Sequence, residues 1–326
     1  MTLKNFLFFF FLGEIILAGA FFAAYNSVSR FQFSASAHET YAVPIQVEKP
    51  VRVLFAGDIM LDRDIARNTA RVGVESFVAD VAPLFANNDI NVANLEGTVT
   101  DFPSIAQIDN TVLRFTFTPA LAESVLTSLK LDAVSLANNH ALDFGAAGYS
   151  QTRDFLSERG ILSFGSPSNS ENLSAQKTVR GNNICFVGYE DFINADPTII
   201  TNEITSIRPF CYRVVVFTHW GVEYQIQPTE HQRMLAHAFI DSGADLVIGA
   251  HPHVVQPREI YNGKAIFYSL GNFIFDQYFS SQTKRGIAVA VEFYSFETRF
   301  TLTPVSIERD GITRIPGELE SFSLPL

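Results

Sequence analysis

The stretch Asp245-Leu246-Val247-Ile248-Gly249-Ala250-His251-Pro252-His253 joins a short apolar run to two histidines that are separated by one proline. The run is typical of a buried strand in a parallel sheet, and Gly249 lets the backbone turn closely after it. Imidazole is a favoured ligand of zinc, manganese, iron and nickel, and Pro252 restrains the backbone between the two rings. The stretch alone fits a metal site and two ordinary loop histidines equally well, so its meaning depends on the rest of the chain.

The chain around this stretch alternates between apolar strands and amphipathic helices. Asn262-Gly263 then predicts a hairpin turn, and the segments after it alternate like antiparallel strands. Parallel βα units followed by a β-rich part predict an α/β fold in which two packed sheets carry helices on their outer faces. The predicted strands are residues 51–56, 89–93, 132–137, 184–188, 212–218, 245–249, 265–269, 286–293 and 299–307, and the predicted helices are residues 75–85, 119–129, 146–159 and 229–242.

Polar clusters follow the predicted strands at their carboxyl ends, which is where open α/β sheets bind ligands. Four of the seven histidines lie in these clusters, whereas His38, His231 and His237 do not. A mixture of Asp, Glu, Asn and His donors suits Mn²⁺, Fe or Zn²⁺, and two-metal hydrolysis uses such donors. The clusters occupy residues 57–63, 94–97, 138–145, 219–224, 251–253 and 269–273.

The amino-acid composition excludes several classes of function. The chain has 326 residues, of which 47% are hydrophobic, so it has ample material for a core. Its net charge of -11, without any basic run, argues against binding of nucleic acid. The two cysteines, Cys185 and Cys211, form no CxxC motif, which excludes a thiolate zinc site. We expect both to be small buried hydrophobic residues, with a disulfide as the alternative if the body lies outside the cytoplasm.

The first 50 residues differ from the body. Residues 6–25 form an apolar run that is long enough to cross a membrane as a helix, with Lys4 before it. We therefore expect a membrane anchor over residues 1–25, a tether over residues 26–50, and an extracytoplasmic body. The alternative is a secreted protein that is cleaved after Ala35-Ser36-Ala37, but this site lies far beyond the apolar run.

Six short motifs follow one another along the body. They are Gly-Asp-x-Met-Leu at 57–61, Asn-Leu-Glu at 94–96, Asn-Asn-His-x-x-Asp-x-Gly at 138–145, His-Trp-Gly-x-Glu-Tyr at 219–224, Gly-x-His-Pro-His at 249–253 and Ser-Leu-Gly-Asn-Phe at 269–273. In order and spacing these motifs resemble the bacterial capsule-synthesis family, often called the CapA or poly-γ-glutamate synthesis family. The resemblance covers residues 51–295.

That family in turn resembles the calcineurin-like metallophosphoesterases. The resemblance implies a four-layer α-β-β-α sandwich of two mixed β-sheets, over residues 51–315, followed by a tail at 316–326. It also implies a centre of two divalent ions, Mn, Fe or Zn. Two positions depart from the metallophosphoesterase pattern, because Met60 stands in place of a histidine ligand and Glu96 in place of an aspartate. The implied metal ligands are Asp58, Glu96, Asn139, His219, His251 and His253.

The resemblance also implies catalytic residues. His140, which follows the amide ligand, is expected to donate a proton or to stabilise the transition state. Asp143 belongs to the same motif and is assigned to the catalytic group with it. Arg63 and Glu223 are expected to touch the substrate, and a surface ion pair is the alternative for each.

Two functions are compatible with these features. The first is a membrane-anchored, metal-dependent hydrolase or transferase that acts on a polymer or a phosphoester. The second is a non-catalytic component of polymer assembly or export that retains the fold. Both imply poly-γ-glutamate or another anionic polymer as a partner and allow a membrane-bound synthesis complex.

Overall fold

The computed structural model describes residues 48–109, 111–193 and 196–326. The predicted membrane helix at residues 6–25 and residues 26–47 of the predicted tether lie outside the described residues. Among the helices that are described, none combines the length and the apolar character needed to span a bilayer. The described residues thus cover the body and the last three residues of the predicted tether.

The described body consists of strands and helices in alternation, followed by a β-rich part. The helices are α1 (Arg63–Val72), α2 (Val74–Val78), α3 (Pro119–Ser128), α4 (Gly145–Glu158), α5 (Thr198–Ile207) and α6 (Glu230–Asp241). The strands are β1 (Val51–Ile59), β2 (Ile90–Leu95), β3 (Thr98–Val99), β4 (Thr116–Phe117), β5 (Ala133–Ser135), β6 (Leu162–Phe164), β7 (Ser174–Val179), β8 (Asn182–Glu190), β9 (Arg213–His219), β10 (Leu246–Ala250), β11 (Arg258–Tyr261), β12 (Lys264–Phe267), β13 (Asn272–Ile274), β14 (Arg285–Phe293), β15 (Glu297–Ile307), β16 (Thr313–Arg314) and β17 (Glu320–Pro325).

These strands form two mixed sheets and one short pair. The first sheet has the order β16-β15-β14-β1-β2-β5-β6, with β13 beside β1 and β17 beside β15. Its β1, β2, β5 and β6 are parallel, while β14 runs antiparallel to β1. The second sheet has the order β11-β12-β10-β9-β8-β7, with a parallel centre and antiparallel edges. The mixed α/β fold predicted from the sequence is confirmed.

Three apolar clusters separate four layers. On β1, Val53 and Phe55 face the second sheet, whereas Leu54 between them faces the helices, because successive strand residues point to opposite faces. The cluster between the sheets joins strands of both, and the outer clusters pack α1 to α4 on the first sheet and α5 and α6 on the second. The carboxyl ends of the central parallel strands of both sheets thus come together at one edge of the sandwich.

Several local predictions need correction. The predicted helix at residues 75–85 is wrong: α2 ends at Val78 and a separate 3₁₀ turn, Ala82–Phe85, follows. Pro83 favours this break because it has no N–H to continue a helix. The sequence interpretation also missed α1, α5 and β7. Residues 320–325, which lie in the expected tail, form β17 and pair with β15.

The cysteines behave differently from the expectation. Cys185 on β8 and Cys211, which precedes β9, form a disulfide, so they are not two independent buried hydrophobic residues. The two strands are neighbours and parallel, which brings the start of β8 close to the segment that leads into β9. The disulfide therefore ties together the amino ends of two central strands of the second sheet.

Candidate metal centre

The six predicted metal ligands lie together at the shared edge of the sandwich. β1 and the residue after β2 provide two carboxylates, and β9, β10 and their following turns provide the imidazoles. All of these side chains are buried except that of Asn139, which is exposed and follows β5. We divide the cluster into a carboxylate half, formed by Asp58, Glu96 and His253, and an imidazole half, formed by His219, His251 and Asn139.

In the carboxylate half, two acidic groups face one imidazole. The Nδ1 atom of His253 is 3.4 Å from Asp58 Oδ2, and its Nε2 atom is 3.6 Å from Glu96 Oε1. Both carboxylates are fully buried. Oε1 of Glu96 has no hydrogen-bond partner in the described part of the protein. A buried carboxylate oxygen without a donor is costly, so this atom marks a place for a bound cation.

In the imidazole half, three neutral donors surround one point. Nε2 of His219 lies 2.9 Å from Asn139 Oδ1 and 3.2 Å from His251 Nδ1. The ring of Phe192 packs on the His251 ring, with 4.2 Å between centroids. This half therefore has ligand-type atoms at close range, but none of its own members carries a negative charge.

Two asparagines hold the halves in place, although the sequence interpretation gave them no role. Asn94 Nδ2 donates to Asp58 Oδ1 at 2.8 Å and lies 3.2 Å from Glu96 Oε2. Asn272 Oδ1 is 2.9 Å from His253 Nδ1, which places the proton on Nδ1 and leaves Nε2 directed at Glu96. Both residues stand in motifs at strand ends, and this position was the available indication of their importance.

His140 lies beside the carboxylate half. Its Nδ1 atom is 2.8 Å from Asp143 Oδ2, and its Nε2 atom is 3.9 Å from Glu96 Oε1. Asp143 also accepts a hydrogen bond from the backbone N–H of Phe115 at 2.7 Å, so its carboxylate is fixed. Asp143 is therefore placed to orient the His140 ring and contacts it from behind, away from the pocket.

A pocket of about 270 Å³ opens onto this carboxylate half. Arg63 forms an ion pair with Asp276, and its guanidinium lies over the Phe115 ring at 4.8 Å. Arg63 lines this pocket and is also ion-paired, and that it touches a substrate stays a prediction. The lining residues include Arg63, Glu96, His140, Glu223, His253 and Phe279.

The backbone around the two histidines is constrained. A Cβ atom added at Gly249 would lie 2.1 Å from the carbonyl oxygen of Tyr268, so only glycine fits there. His251 has φ 92° and His253 has φ 56°, in the region that favours glycine. The turn thus places two imidazoles where the backbone itself is strained.

The two halves shift pKa values in opposite directions. Burial raises the pKa of Glu96 well above its usual range, and the neighbouring charge of Asp58 adds to this shift. Burial alone would lower the pKa of His253, but the charge of Glu96 and the contact with Asp58 outweigh it and raise this pKa to about 9. Burial and then the charge of His253 lower the pKa of His251 to about 3. Burial also lowers the pKa of His219, and the neighbouring charge of His251 adds to this shift.

The donor set fits a divalent cation. The side chains form two groups, and within each group the ligand-type atoms all lie within 4.8 Å of one another. One group consists of Asp58, Glu96 and His253, and the other consists of Glu223, His251 and His253. Mixed carboxylate and imidazole donors suit Mn²⁺, Fe or Zn²⁺. Met60, which replaces an expected histidine, is buried, and its sulfur lies 3.0 Å from the Asp62 backbone nitrogen.

The fold and the site together define an α/β two-sheet protein with a candidate metal centre at its strand ends. A family model described as bacterial capsule synthesis protein PGA_cap matches residues 52–277. The chain belongs to this family, which confirms the resemblance inferred from the motifs.

Two curated relatives show the extent of the similarity. "PGA biosynthesis protein CapA" of Bacillus subtilis (strain 168) is 33% identical over 289 residues, which cover 82% of this chain and 75% of the relative. "Capsule biosynthesis protein CapA" of Bacillus anthracis is 30% identical over 246 residues, which cover 68% of this chain and 59% of the relative.

Two solved structures are also similar to this chain. A hypothetical protein from Thermus thermophilus has a TM-score of 0.48 and 17% identity, over 84% of this chain and 99% of that one. A novel phosphatase from Mycoplasma pneumoniae has a TM-score of 0.46 and 12% identity, over 85% of this chain and 94% of that one.

Proposed function

We propose that this chain is a CapA-type protein of poly-γ-glutamate capsule formation that works as a metal-dependent hydrolase or transferase on the polymer or on a phosphoester. The observation that carries the chemical part is the unpartnered Glu96 Oε1 atom, which is buried and faces the imidazoles of His253 and His140 beside a pocket. Membership of the capsule synthesis family and the names of the Bacillus relatives support the polymer as substrate.

In this proposal Asp58, Glu96 and His253 hold one divalent ion, and the donors of the imidazole half, Asn139 and His219 with His251, are placed for a second. Lewis acidity toward the substrate and toward water is the chemistry that a divalent ion supplies at such a place. The deep burial of both carboxylates excludes water from their far side and leaves the pocket as the route of approach.

His140 is the proposed proton donor to the leaving group. Because Nδ1 faces the Asp143 carboxylate, Nε2 is the nitrogen that points to Glu96 and the pocket. A proton at Nε2 is therefore within reach of a leaving oxygen or nitrogen bound there. Asp143 is a positioning residue in this scheme, and Arg63 forms a wall of the pocket with Asp276.

We further propose that the body works outside the cytoplasm, anchored by residues 6–25 near a membrane-bound synthesis complex. The Cys185–Cys211 disulfide supports this location, because disulfides persist mainly in oxidising compartments. Sequencing the N-terminus of the mature protein tests the anchor. A mature protein that begins at His38 would contradict it and favour secretion.

The test of the proposed function combines metal content and turnover. The full-length chain is purified, its bound metals are measured by elemental analysis, and poly-γ-glutamate and a generic phosphodiester are offered as substrates. We expect bound Mn, Fe or Zn and a metal-dependent cleavage or transfer that Glu96→Gln abolishes. A chain that binds metal yet turns over neither substrate would favour the non-catalytic role in polymer assembly, and a chain without metal affinity would contradict the proposal.

A further inference from the structure

Glu223 brings a third carboxylate to the carboxylate half. It follows β9 and lines the pocket, and its Oε1 atom lies 3.9 Å from His253 Nε2. That nitrogen is also 3.6 Å from the unpartnered Glu96 Oε1 atom. Donors that bind one ion at about 2.0–2.2 Å lie roughly 3–4 Å from each other, so the separation between Glu223 and His253 is that of two ligands of one ion.

The His253 ring is prepared for this arrangement. Asn272 Oδ1 accepts from Nδ1, which leaves the lone pair of Nε2 on the side of Glu96 and Glu223. One nitrogen lone pair serves one ion. His253 belongs to both donor groups, because it lies with Asp58 and Glu96 in one and with Glu223 and His251 in the other.

The backbone fixes the position of Glu223. Gly221 has φ 85° and Tyr224 has φ 66°, and the backbone N–H of Tyr224 donates to the Pro252 carbonyl oxygen at 2.8 Å. The segment that carries Glu223 is thus bonded to the turn between the two histidines. Its carboxylate is 42% exposed, so it approaches His253 from the solvent side, whereas Glu96 approaches from the interior.

The charge at this point also favours a cation. Within the described residues, the ion-pair partners of Asp58, Glu96 and Glu223 are histidines, and no lysine or arginine pairs with them. The nearby guanidinium of Arg63 is already paired with Asp276. Three carboxylates around one imidazole leave an excess of negative charge, which a divalent cation offsets.

We propose that Glu223 is a direct ligand of the divalent cation held by His253, and that it closes the coordination shell from the pocket side. This inference rests on the metal centre of the proposed function and assigns Glu223 to the ion in place of the substrate. Glu223 is the solvent-facing member of the ligand set.

The test measures binding of MnCl₂ and of ZnCl₂ to the metal-free, full-length chain by calorimetry, with the Mn²⁺ resonance spectrum as a second readout. Glu223→Gln should weaken binding about 10-fold or more and change the spectrum of bound Mn²⁺, whereas Glu223→Asp should lose less. Glu230→Gln is the matched control, because it removes the same charge at an exposed position seven residues further along.

The outcomes separate the two proposals. If Glu223→Gln binds like Glu230→Gln while Glu96→Gln loses the ion, Glu223 is not a ligand and the metal centre stands. If the unmodified chain takes up neither metal, the proposed function and this inference fail together. Equal thermal midpoints of Glu223→Gln and Glu230→Gln show that the comparison concerns binding and not folding.

Discussion

The carboxylate half and the imidazole half are adjacent but chemically different. His253 and His251 stand on one turn, yet the pKa of His253 is raised to about 9 and that of His251 is lowered to about 3. The difference arises because His253 faces Glu96 and Asp58, whereas His251 packs against Phe192 and His219. The environment that each ring meets, and not its place in the sequence, decides whether it carries charge.

This contrast also indicates where a cation binds first. The carboxylate half concentrates negative charge in a buried place, so it attracts a cation strongly. The imidazole half offers neutral donors and depends on its neighbours for charge. Four sets of variants test this difference between the two halves, and they are described from the largest expected effect to the smallest.

His253→Ala should remove the ion of the carboxylate half, with affinity for Mn²⁺ falling more than about 100-fold, because a direct ligand is lost. Calorimetric titration with MnCl₂ and metal analysis check this result. His231→Ala serves as control, since His231 is half exposed and pairs with Asp191 on the surface. If His253→Ala kept the metal content of the wild type, His253 would not be a ligand, and the carboxylate half would not be the preferred place for a cation.

Replacing both Cys185 and Cys211 by alanine should lower the free energy of unfolding by about 3 kcal/mol, from the lost constraint on the unfolded chain. The disulfide joins the amino ends of β8 and β9, while the metal centre lies at the carboxyl ends. We therefore expect unchanged Mn²⁺ affinity, measured beside urea unfolding. A parallel fall in affinity would show that the second sheet transmits strain to the imidazoles.

His140→Ala should retain its metal while turnover falls about 100-fold or more, as expected when a general acid is removed. Metal stoichiometry, thermal midpoint and turnover are measured together for this variant and for His253→Ala. Asp143→Asn should lower turnover less, because it disturbs only the orientation of the ring. Loss of metal from His140→Ala, or full activity, would contradict the assignment.

Glu190 lies at the edge of the imidazole half, since it is the register partner of His219 on the neighbouring strand. A substitution at Glu190 therefore tests how burial affects ionisation at this edge. Burial raises its pKa from 4.5 to about 7, so its contribution to stability is present below pH 4.5 and is lost as the pH rises to about 7. Glu190→Gln should therefore gain stability relative to the wild type across that window, by about 1–3 kcal/mol, and the gain should level off above it.

The measurement is urea unfolding of both proteins from pH 4 to 8 in the presence of a chelator. Glu158→Gln, at an exposed helical position, is the matched control. A difference between wild type and Glu190→Gln that stays constant over the whole pH range would contradict the effect of burial.

The sequence predicted the sheets and the site better than the helices. The apolar runs of β1, β9 and β10 identified central strands, because a strand that is buried on both faces needs few polar residues. The polar residues after those strands then located the site. α1 was missed because its apolar positions are few, and only Ile65 and Thr69 are buried in it.

Other features depend on contacts between distant parts of the chain. Asn272 orients His253, and Asp276 pairs with Arg63, which is 213 residues earlier. No local pattern distinguishes such an asparagine or aspartate from a turn residue. The disulfide was equally hidden, since the pairing of two cysteines follows from the alignment of β8 with β9.

The positive φ angles of His251 and His253 have a consequence for protein engineering. A non-glycine residue in this conformation costs of order 1–3 kcal/mol, so the turn gives up stability for its two rings. A library that is selected only for heat resistance should therefore enrich glycine or asparagine at these positions. Selection for function should keep histidine at both positions. A difference between the two selections would show that the turn is retained for function and not for stability.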